Sequence, residues 1–586
     1  MTTGKSKTSD KLKNQTSRPG NLLYAVDERP PEWISAFTGF QLILLIVGPI
    51  TVTPLVVARM AGIDPIEYSW IIFASLLASS IGTFIQVRRF GSVGSGYLLF
   101  IGSSGAFLAC ALAAAQIGGM ALVATMAVLS APLQILFGWL LGPLRKIITP
   151  LVGGVVIMLI VVSVLSIALD LMTGTGQEGA DVHYLMVSVG TLTVILSLAI
   201  FGNKFLKLWS LVIGLLSGTI LASFLGLTDF SAITESSWVG LPQGSWPGFY
   251  LEYSPELISL YLTFALVTIV GTVETIGDGM AIQHISQRDF RKIDYERVQG
   301  AIYADGVSNA IAGALGTIPN TTYSNAIAAV ELTGVTARRV GYYVAGFLGL
   351  LAFSPKVASI MTSIPSPVIG AFLFVLLAML FVTGIKLAAS HGLNYESGII
   401  IGVSFWVGFT FHNDLFFPHL IPDLVSPFVG NGMAAGGVTA IILSVLFYLK
   451  PAGRAGFTVE RDLGQVSKLQ VFINEYSQTR KVSPDQLHRL QLTTEELFTH
   501  LCSLEKFTSP VLRINLHGED DVIHVEFIDS SRAKDIDFAV EDLQEFDGLV
   551  DPEELGLLIL SRYARNLRHI TIGGVNYITY DLPFEA

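Results

Sequence analysis

The stretch Val270-Gly271-Thr272-Val273-Glu274-Thr275-Ile276-Gly277-Asp278 decides how this chain is read. It lies in an otherwise apolar run, 257–281, long enough for a helix to cross a bilayer, which takes about 20 residues. Glu274 and Asp278 are four apart, so a helix places them on one face. A third carboxylate, Asp305, sits in Ala301-Ile302-Tyr303-Ala304-Asp305-Gly306-Val307. A carboxylate at membrane depth is unfavourable by several kcal/mol unless it is paired or protonated. Either state suits a site that binds a polar solute and moves a proton. The plainer reading is that these groups cap or cross-link helices of the bundle. Gln41, in the first apolar run, is a further buried polar candidate, although buried amides often only bridge helices.

Outward from this stretch, the composition agrees. The chain has 586 residues, 51% hydrophobic and 14% charged, with mean hydropathy +0.60. A soluble domain carries about 25% charged residues. These values exclude a soluble enzyme, a nucleic-acid binder and a disordered chain. About fourteen apolar segments follow one another from 36–60 to 432–449, the shortest at 321–333. The loops between them alternate in charge. One set holds Arg88-Arg89, Arg145-Lys146, Lys204 with Lys207, Arg338-Arg339 and Lys386; the other holds Asp64, Glu67, Asp170, Asp229 and Glu235. Basic loops face the cytoplasm. The expectation is a multi-pass protein of the cytoplasmic (plasma) membrane with both termini inside.

Two segments are broken by small or polar residues: Gly102-Ser103-Ser104-Gly105-Ala106-Phe107 and Pro319-Asn320-Thr321-Thr322-Tyr323-Ser324-Asn325. Interrupted segments in corresponding places of two halves point to a transporter's binding site, and broken backbone at membrane depth is tolerated where it lines a cavity. The expected fold is an all-α membrane protein of 14 transmembrane spans in a 7+7 inverted repeat, followed by an α+β cytoplasmic domain. The domains are 1–35, a polar cytoplasmic tail; 36–450, the membrane domain; and 451–586, the C-terminal domain. The net charge of −11 falls mostly in the last of these, where residues after Leu449 carry 14 Lys+Arg against 23 Asp+Glu. That acidity argues against nucleic-acid or anionic-lipid partners.

In the membrane domain the chain resembles the nucleobase–ascorbate transporter family, the xanthine/uracil permeases. Glu274-Thr275-Ile276-Gly277-Asp278 is similar to the family's eighth-span motif, Ala304-Asp305-Gly306 to the ninth, Thr317 to Tyr323 to the lead into the tenth, and Gly102 to Phe107 to the third. The resemblance implies a core domain of spans 1–4 and 8–11 and a gate domain of spans 5–7 and 12–14, with substrate between two half-strands and the eighth helix. It implies that Glu274 accepts ring N–H groups of a nucleobase. Tyr323, Ser324 and Asn325 then line the opposite side, Phe107 lies near the base plane, and Asp278 and Asp305, with Gln41, belong to the coupling network. The chain departs from the family's signature at Asn325-Ala326, where Gln or Glu followed by Asn is usual, and this leaves the exact base open. The remaining motifs favour a xanthine- or urate-like purine over uracil. Proton symport is favoured, with sodium open, and a homodimer is implied by the resemblance alone. No cofactor, metal or enzymatic nucleophile–base set is expected.

The tail reads as two amphipathic helices, Val466 to Gln478 and Asp485 to Leu504. Strands follow at Val511 to Leu516 and Val522 to Ile528, then a helix at Leu555 to Leu567 and a strand at Val575 to Leu582. This order resembles the anti-sigma-factor and histidine-kinase type of ATPase domain. The resemblance is degenerate: His500 stands at the metal-binding Asn position, and Asp529-Ser530-Ser531-Arg532-Ala533 lacks the glycines that let backbone approach phosphate. A regulatory module with a protein partner is expected. The leading hypothesis is a secondary active nucleobase importer. A nucleobase-sensing receptor signalling through the tail, and a sulfate-permease-type anion carrier, are the alternatives.

Overall fold

A computed structural model of the chain describes residues 22–139, 149–174, 182–254, 256–288, 293–390, 392–413, 415, 432–449, 454–480, 482–503, 509–519, 522–529, 560, 562–572 and 575–583. The apolar runs form helices: α1 (Glu32–Met60), α2 (Tyr68–Arg88), α3 (Leu108–Trp139), α4 (Pro150–Thr173), α5 (Val182–Phe201) and α6 (Lys204–Phe224). A second series follows: α7 (Glu256–Ser286), α8 (Tyr295–Leu315), α9 (Ser324–Thr333), α10 (Arg338–Ala352), α11 (Ser366–Ala388), α12 (Tyr395–His412) and α13 (Gly432–Leu449). Two three-residue strands, β1 (Ile101–Ser103) and β2 (Asn320–Thr322), precede α3 and α9. Local chemistry sets the ends. α8, for example, starts where the Asp294 carboxylate accepts from the N–H of Glu296 at 3.0 Å and stops at Gly316, whose φ of +86° suits glycine.

α3 is two segments. Gly118 and Gly119 leave helical geometry inside it, so the chain turns there. With that break, the described residues hold seven membrane segments before the loop at 225–254 and seven after it. Among the described residues, eight helices are long and apolar enough to cross a bilayer, or nine if α10 and Pro355–Thr362 are joined across their 80° bend.

The packing repeats as the segments do. α3 packs on α8, and the corresponding pair, α10 and α2, also pack together; α3 on α7 is matched by α10 on α1, and α11 on α5 by α4 on α12. Three contacts map onto themselves under this exchange: β1 with β2, α2 with α8, and α4 with α11. Seven is odd, so the halves enter the bilayer from opposite sides and the repeat is inverted. The contacts also fall into two groups. α1–α3 and α7–α10 form a core, and α4–α6 with α11 and α12 form a gate. At the self-mated α4–α11 contact a Cβ on Gly154 would lie 2.5 Å from the Gly384 carbonyl, so glycine lets these backbones touch.

Outward faces are apolar. On α5, Val182 is 64% exposed and Phe201 85%. In water this would be a large unprotected patch; in lipid it is the solvated side.

Residues 22–31 lie across the ends of core helices, and α1 already begins at Glu32. The N–H groups of Leu23 and Tyr24 donate to the Gly334 carbonyl at 2.8 and 3.0 Å, and that of Val26 to Ser286 at 3.1 Å. Arg288 pairs with Glu28 at 2.8 Å and Arg338 with Asp27 at 2.9 Å, and Arg339 pairs with Glu32. The hydrogen bond from Arg288 holds the Glu28 carboxyl below the usual carboxylate range.

By its contacts the chain divides into Met1–Val445 and Leu446–Ala586. The second unit is a five-stranded antiparallel sheet, ordered β3 (Arg454–Glu460), β4 (Val511–Glu519), β5 (Val522–Asp529), β7 (Val575–Pro583), β6 (Arg565–Ile572). Alternate residues such as Ile514, Val525, Phe527 and Ile578 form a buried face. They share a core with Leu469 and Ile473 of α14 (Val466–Arg480) and Leu497 and Phe498 of α15 (Pro484–Ser503). Two expectations change. Residues from Arg565 pair as strand β6 instead of ending a helix, and β3 adds a strand the sequence reading lacked. The loop at 530–533 and the start of the expected helix at 555 lie outside the described residues.

Candidate binding site at the paired half-strands

β1 and β2 pair antiparallel in the register Ile101↔Thr322, Gly102↔Thr321, Ser103↔Asn320. Non-helical backbone at membrane depth must find every partner within the protein, and here side chains complete the set. The Ile101 N–H donates to Thr83 Oγ1 at 3.2 Å, and the Asn320 N–H donates to Asn309 Oδ1 at 2.5 Å. Asn309 in turn donates to Gln134 Oε1 at 2.6 Å. A Cβ on Gly102 would lie 2.7 Å from both the Tyr323 ring and Ile50. Glycine therefore opens the space that Tyr323 fills, with its hydroxyl donating to the Ser103 carbonyl at 2.8 Å.

A cavity of about 1410 Å³ opens beside the strands. Its polar wall is Ser103, Ser104, Glu274 and the run Thr321 to Asn325; its apolar wall includes Ile46, Leu211, Phe372 and Leu376. α9 begins at this wall, so the N–H groups of Ser324 and Asn325 at its start lie where a carbonyl oxygen of a ligand is favoured. Ser324 Oγ lies 3.5 Å from Glu274 Oε1, at the limit of a hydrogen bond. Lys204, Lys207, Lys386 and Glu331 line the same cavity farther along. A carboxylate, hydroxyls, an amide and the start of a helix thus face an apolar wall. That arrangement takes a flat, polar-edged ring.

The sequence-selected residues divide. Glu274, Tyr323, Ser324 and Asn325 share the cavity wall. Phe107 does not: it is 1% exposed and packs on Phe264, ring centroids 5.8 Å apart, leaving Gly105 and Ala106 as the wall there. Gln41 also lies off it; α1 contributes Leu44 to Pro49 and Thr53 instead. Asp278 and Asp305 are buried behind the wall. Thr322 Oγ1 donates to Asp278 Oδ2 at 2.7 Å and Thr275 Oγ1 donates to Asp305 Oδ2. Thr275, Thr322, Ser103 and Ser104 all stand in the quoted motifs, yet threonine and serine in apolar segments are too common to single out from sequence.

The sequence model described as the Permease family, that of xanthine and uracil permeases, matches residues 34–414. Xanthine permease XanP of Escherichia coli strain K12 is 30% identical over 443 residues, covering 73% of this chain and 94% of that protein. Xanthine permease XanQ of the same organism is 26% identical over 441 residues, with the same coverage. Nucleobase transporter PlUacP of Paenibacillus larvae is 28% identical over 415 residues, covering 70% and 93%. Among solved structures, the murine Solute Carrier 26 family member A9 anion transporter in its inward-facing state aligns with a TM-score of 0.51 at 13% identity, covering 74% of this chain and 71% of that one. At that identity the likeness speaks for the fold alone.

Proposed function

The chain belongs to the xanthine/uracil permease family, a nucleobase transporter and not an enzyme, and from that premise we infer that it imports a xanthine- or urate-like purine together with a proton. The observation that carries this reading is the single cavity in which Glu274 stands beside the half-strand run Thr321 to Asn325. A purine dione presents adjacent N–H and C=O groups on a flat ring. Glu274 accepts from ring N–H groups, and Ser324, Asn325 and the first N–H groups of α9 donate to its carbonyls. The ring faces pack on the apolar wall and the Tyr323 edge. Asn325 is one methylene shorter than the Gln of related signatures, which widens the pocket toward a two-ring base.

Asp278 and Asp305, buried and bonded to hydroxyls, form the proton-handling part. The basic loops support an orientation with both termini in the cytoplasm. With that orientation Lys204, Lys207 and Lys386 mark the inner mouth of the cavity, and the conformation is inward-facing. Core and gate groups then move against each other for alternating access. The C-terminal unit serves as a regulatory or protein-binding module, a role its packed core and glycine-poor Asp529 loop support better than nucleotide hydrolysis. The anion-carrier reading shares the fold, but an anion site would place a cation where Glu274 stands.

The test is uptake of labelled xanthine, urate and uracil into expressing cells, with and without a protonophore, beside Glu274→Gln. Protonophore-sensitive accumulation of a purine, lost in the variant, is expected. Absence of accumulation of any base, with the protein present in the membrane, overturns the importer reading.

A further inference from the structure

Asp278 and Asp305 stand on different helices, and neither lines the cavity, so base recognition alone does not use them. Two hydroxyls stand between them. Thr322 Oγ1 donates to Asp278 Oδ2 at 2.7 Å, Thr275 Oγ1 donates to Asp305 Oδ2, and the two threonine oxygens are 3.3 Å apart. Thr275 and Asp305 have no exposure, Thr322 has 1% and Asp278 5%. The four side chains form one buried carboxyl–hydroxyl–hydroxyl–carboxyl chain joining α7, β2 and α8. Its middle link is the weak one, since a good O–H···O bond is about 2.7–2.8 Å. Closing it needs a movement of only a few tenths of an ångström.

We propose that Thr275 and Thr322 are relay residues that pass a proton between Asp278 and Asp305 during transport. This rests on the proton-coupled reading above. When Asp278 is protonated, the Thr322 hydroxyl turns from Asp278 toward Thr275; the proton then leaves Asp278 Oδ2 for Thr322 Oγ1, the Thr322 hydroxyl proton moves to Thr275 Oγ1, and the Thr275 hydroxyl proton moves to Asp305 Oδ2. Each O–H bond broken is matched by one formed, and the net change is one proton moved between carboxyls. A shared proton also spares the cluster two buried negative charges. Both relay residues adjoin the binding wall. Thr275 follows Glu274 in the chain, and Thr322 belongs to the half-strand run that lines the cavity. A base seated on Glu274 and β2 therefore sets the length of the Thr275–Thr322 link, and occupancy of the site opens or closes the proton path.

The experiment uses the full chain in proteoliposomes, with labelled xanthine as probe, and compares wild type with Thr275→Val, Thr275→Ala and Thr275→Ser. Three quantities are read: accumulation driven by an imposed pH gradient, exchange of labelled for unlabelled xanthine with no gradient, and xanthine-induced proton uptake. Thr275→Val keeps the shape and removes the hydroxyl, so accumulation falls by about tenfold or more while exchange stays within about twofold of wild type. Thr275→Ser restores accumulation. Xanthine-induced proton uptake, followed with a pH dye, falls with accumulation. Thr275→Ala gives the same split should the valine variant fail to assemble. Equal loss of exchange and accumulation in the valine and alanine variants, or accumulation unchanged without the hydroxyl, overturns the relay. Wild-type accumulation that ignores the pH gradient and follows sodium instead overturns the proton-symport reading itself, and is seen before any variant is made.

Discussion

β1 and its continuation read Ile101-Gly102-Ser103-Ser104-Gly105-Ala106-Phe107; β2 and its continuation read Asn320-Thr321-Thr322-Tyr323-Ser324-Asn325. The two occupy equivalent places in the inverted repeat and each is the other's hydrogen-bonding partner. Their backbones meet one requirement, that no N–H or C=O be left bare in the membrane. Their side chains diverge. The first is small and supplies room, through Gly102 beneath the Tyr323 ring. The second is polar and supplies chemistry, through Thr322, Ser324 and Asn325. A repeat fixes what the backbone must do and leaves the two copies free to divide recognition between them.

The largest effect is expected where the room is removed. Gly102→Ala sets a methyl 2.7 Å from Tyr323 and Ile50, so strand or ring must move. Overpacking of this kind destabilises by about 1–3 kcal/mol, and it displaces the wall that holds the base. Base uptake should fall much further than protein abundance does, measured by transport beside a membrane blot. Normal uptake would mean that β1 is not tightly held and that the division of labour is looser than described.

Next come the side chains that anchor each strand. Asn309→Ala leaves the buried Asn320 N–H without its acceptor and frees Gln134, and it should lower stability by about 1–3 kcal/mol. Thr83→Val removes the weaker anchor of β1, 3.2 Å long, and should lower it by less, about 1 kcal/mol. Thermal unfolding of the two variants in one detergent ranks them. The reverse order would show that β1 is the more dependent strand. Tyr323→Phe loses only the bond to the Ser103 carbonyl. It should change stability by about 0.5–1.5 kcal/mol with the cavity shape kept, and titration with a base should show a modest loss of affinity.

The same division explains what was legible beforehand. Glu274, Asp278 and Asp305 stand out because charge in an apolar run has few bland explanations, and the half-strands stand out because glycine, proline and polar residues break two spans in matching places. The side that the Phe107 ring takes is not legible, because a run of small residues does not reveal which way an adjacent ring turns; it turns toward Phe264. Thr275 gives no signal, since a threonine hydroxyl in a helix commonly bonds its own turn, as Thr272 does to Thr268; Thr322 stands out only as one of several polar residues in the second half-strand. β6 is not legible because the residues from Arg565 continue a locally helical pattern, and pairing with β7 overrides that preference there. The strap at 22–31 reads as tail because its partners, Arg288 and Arg338, lie far along the chain in basic loops.

That strap gives the smallest expected effect and the finest test of the comparison, because it holds the second copy of the half-strand element and not the first. It joins the end of α7, which carries Glu274, to the loop after α9, which carries Ser324 and Asn325. Arg288→Ala removes the bidentate pair with Glu28, at 2.8 and 2.9 Å. Both groups are well exposed and such pairs are screened, so the unfolding temperature should hardly change. Local opening should change instead: amide exchange at residues 23–28 should speed up by about tenfold, with exchange in β1 unaltered. The pH dependence has a definite sign. The Glu28 carboxyl is lowered in the folded chain, so the pair supports the strap above the ordinary carboxylate pKa and is lost as pH falls through the lowered value. The wild-type strap should loosen only in acid, whereas the Arg288→Ala strap is already loose at neutral pH. If Arg288→Ala instead loosens β1 and β2 together, the strap braces the whole core and the two copies are not held independently.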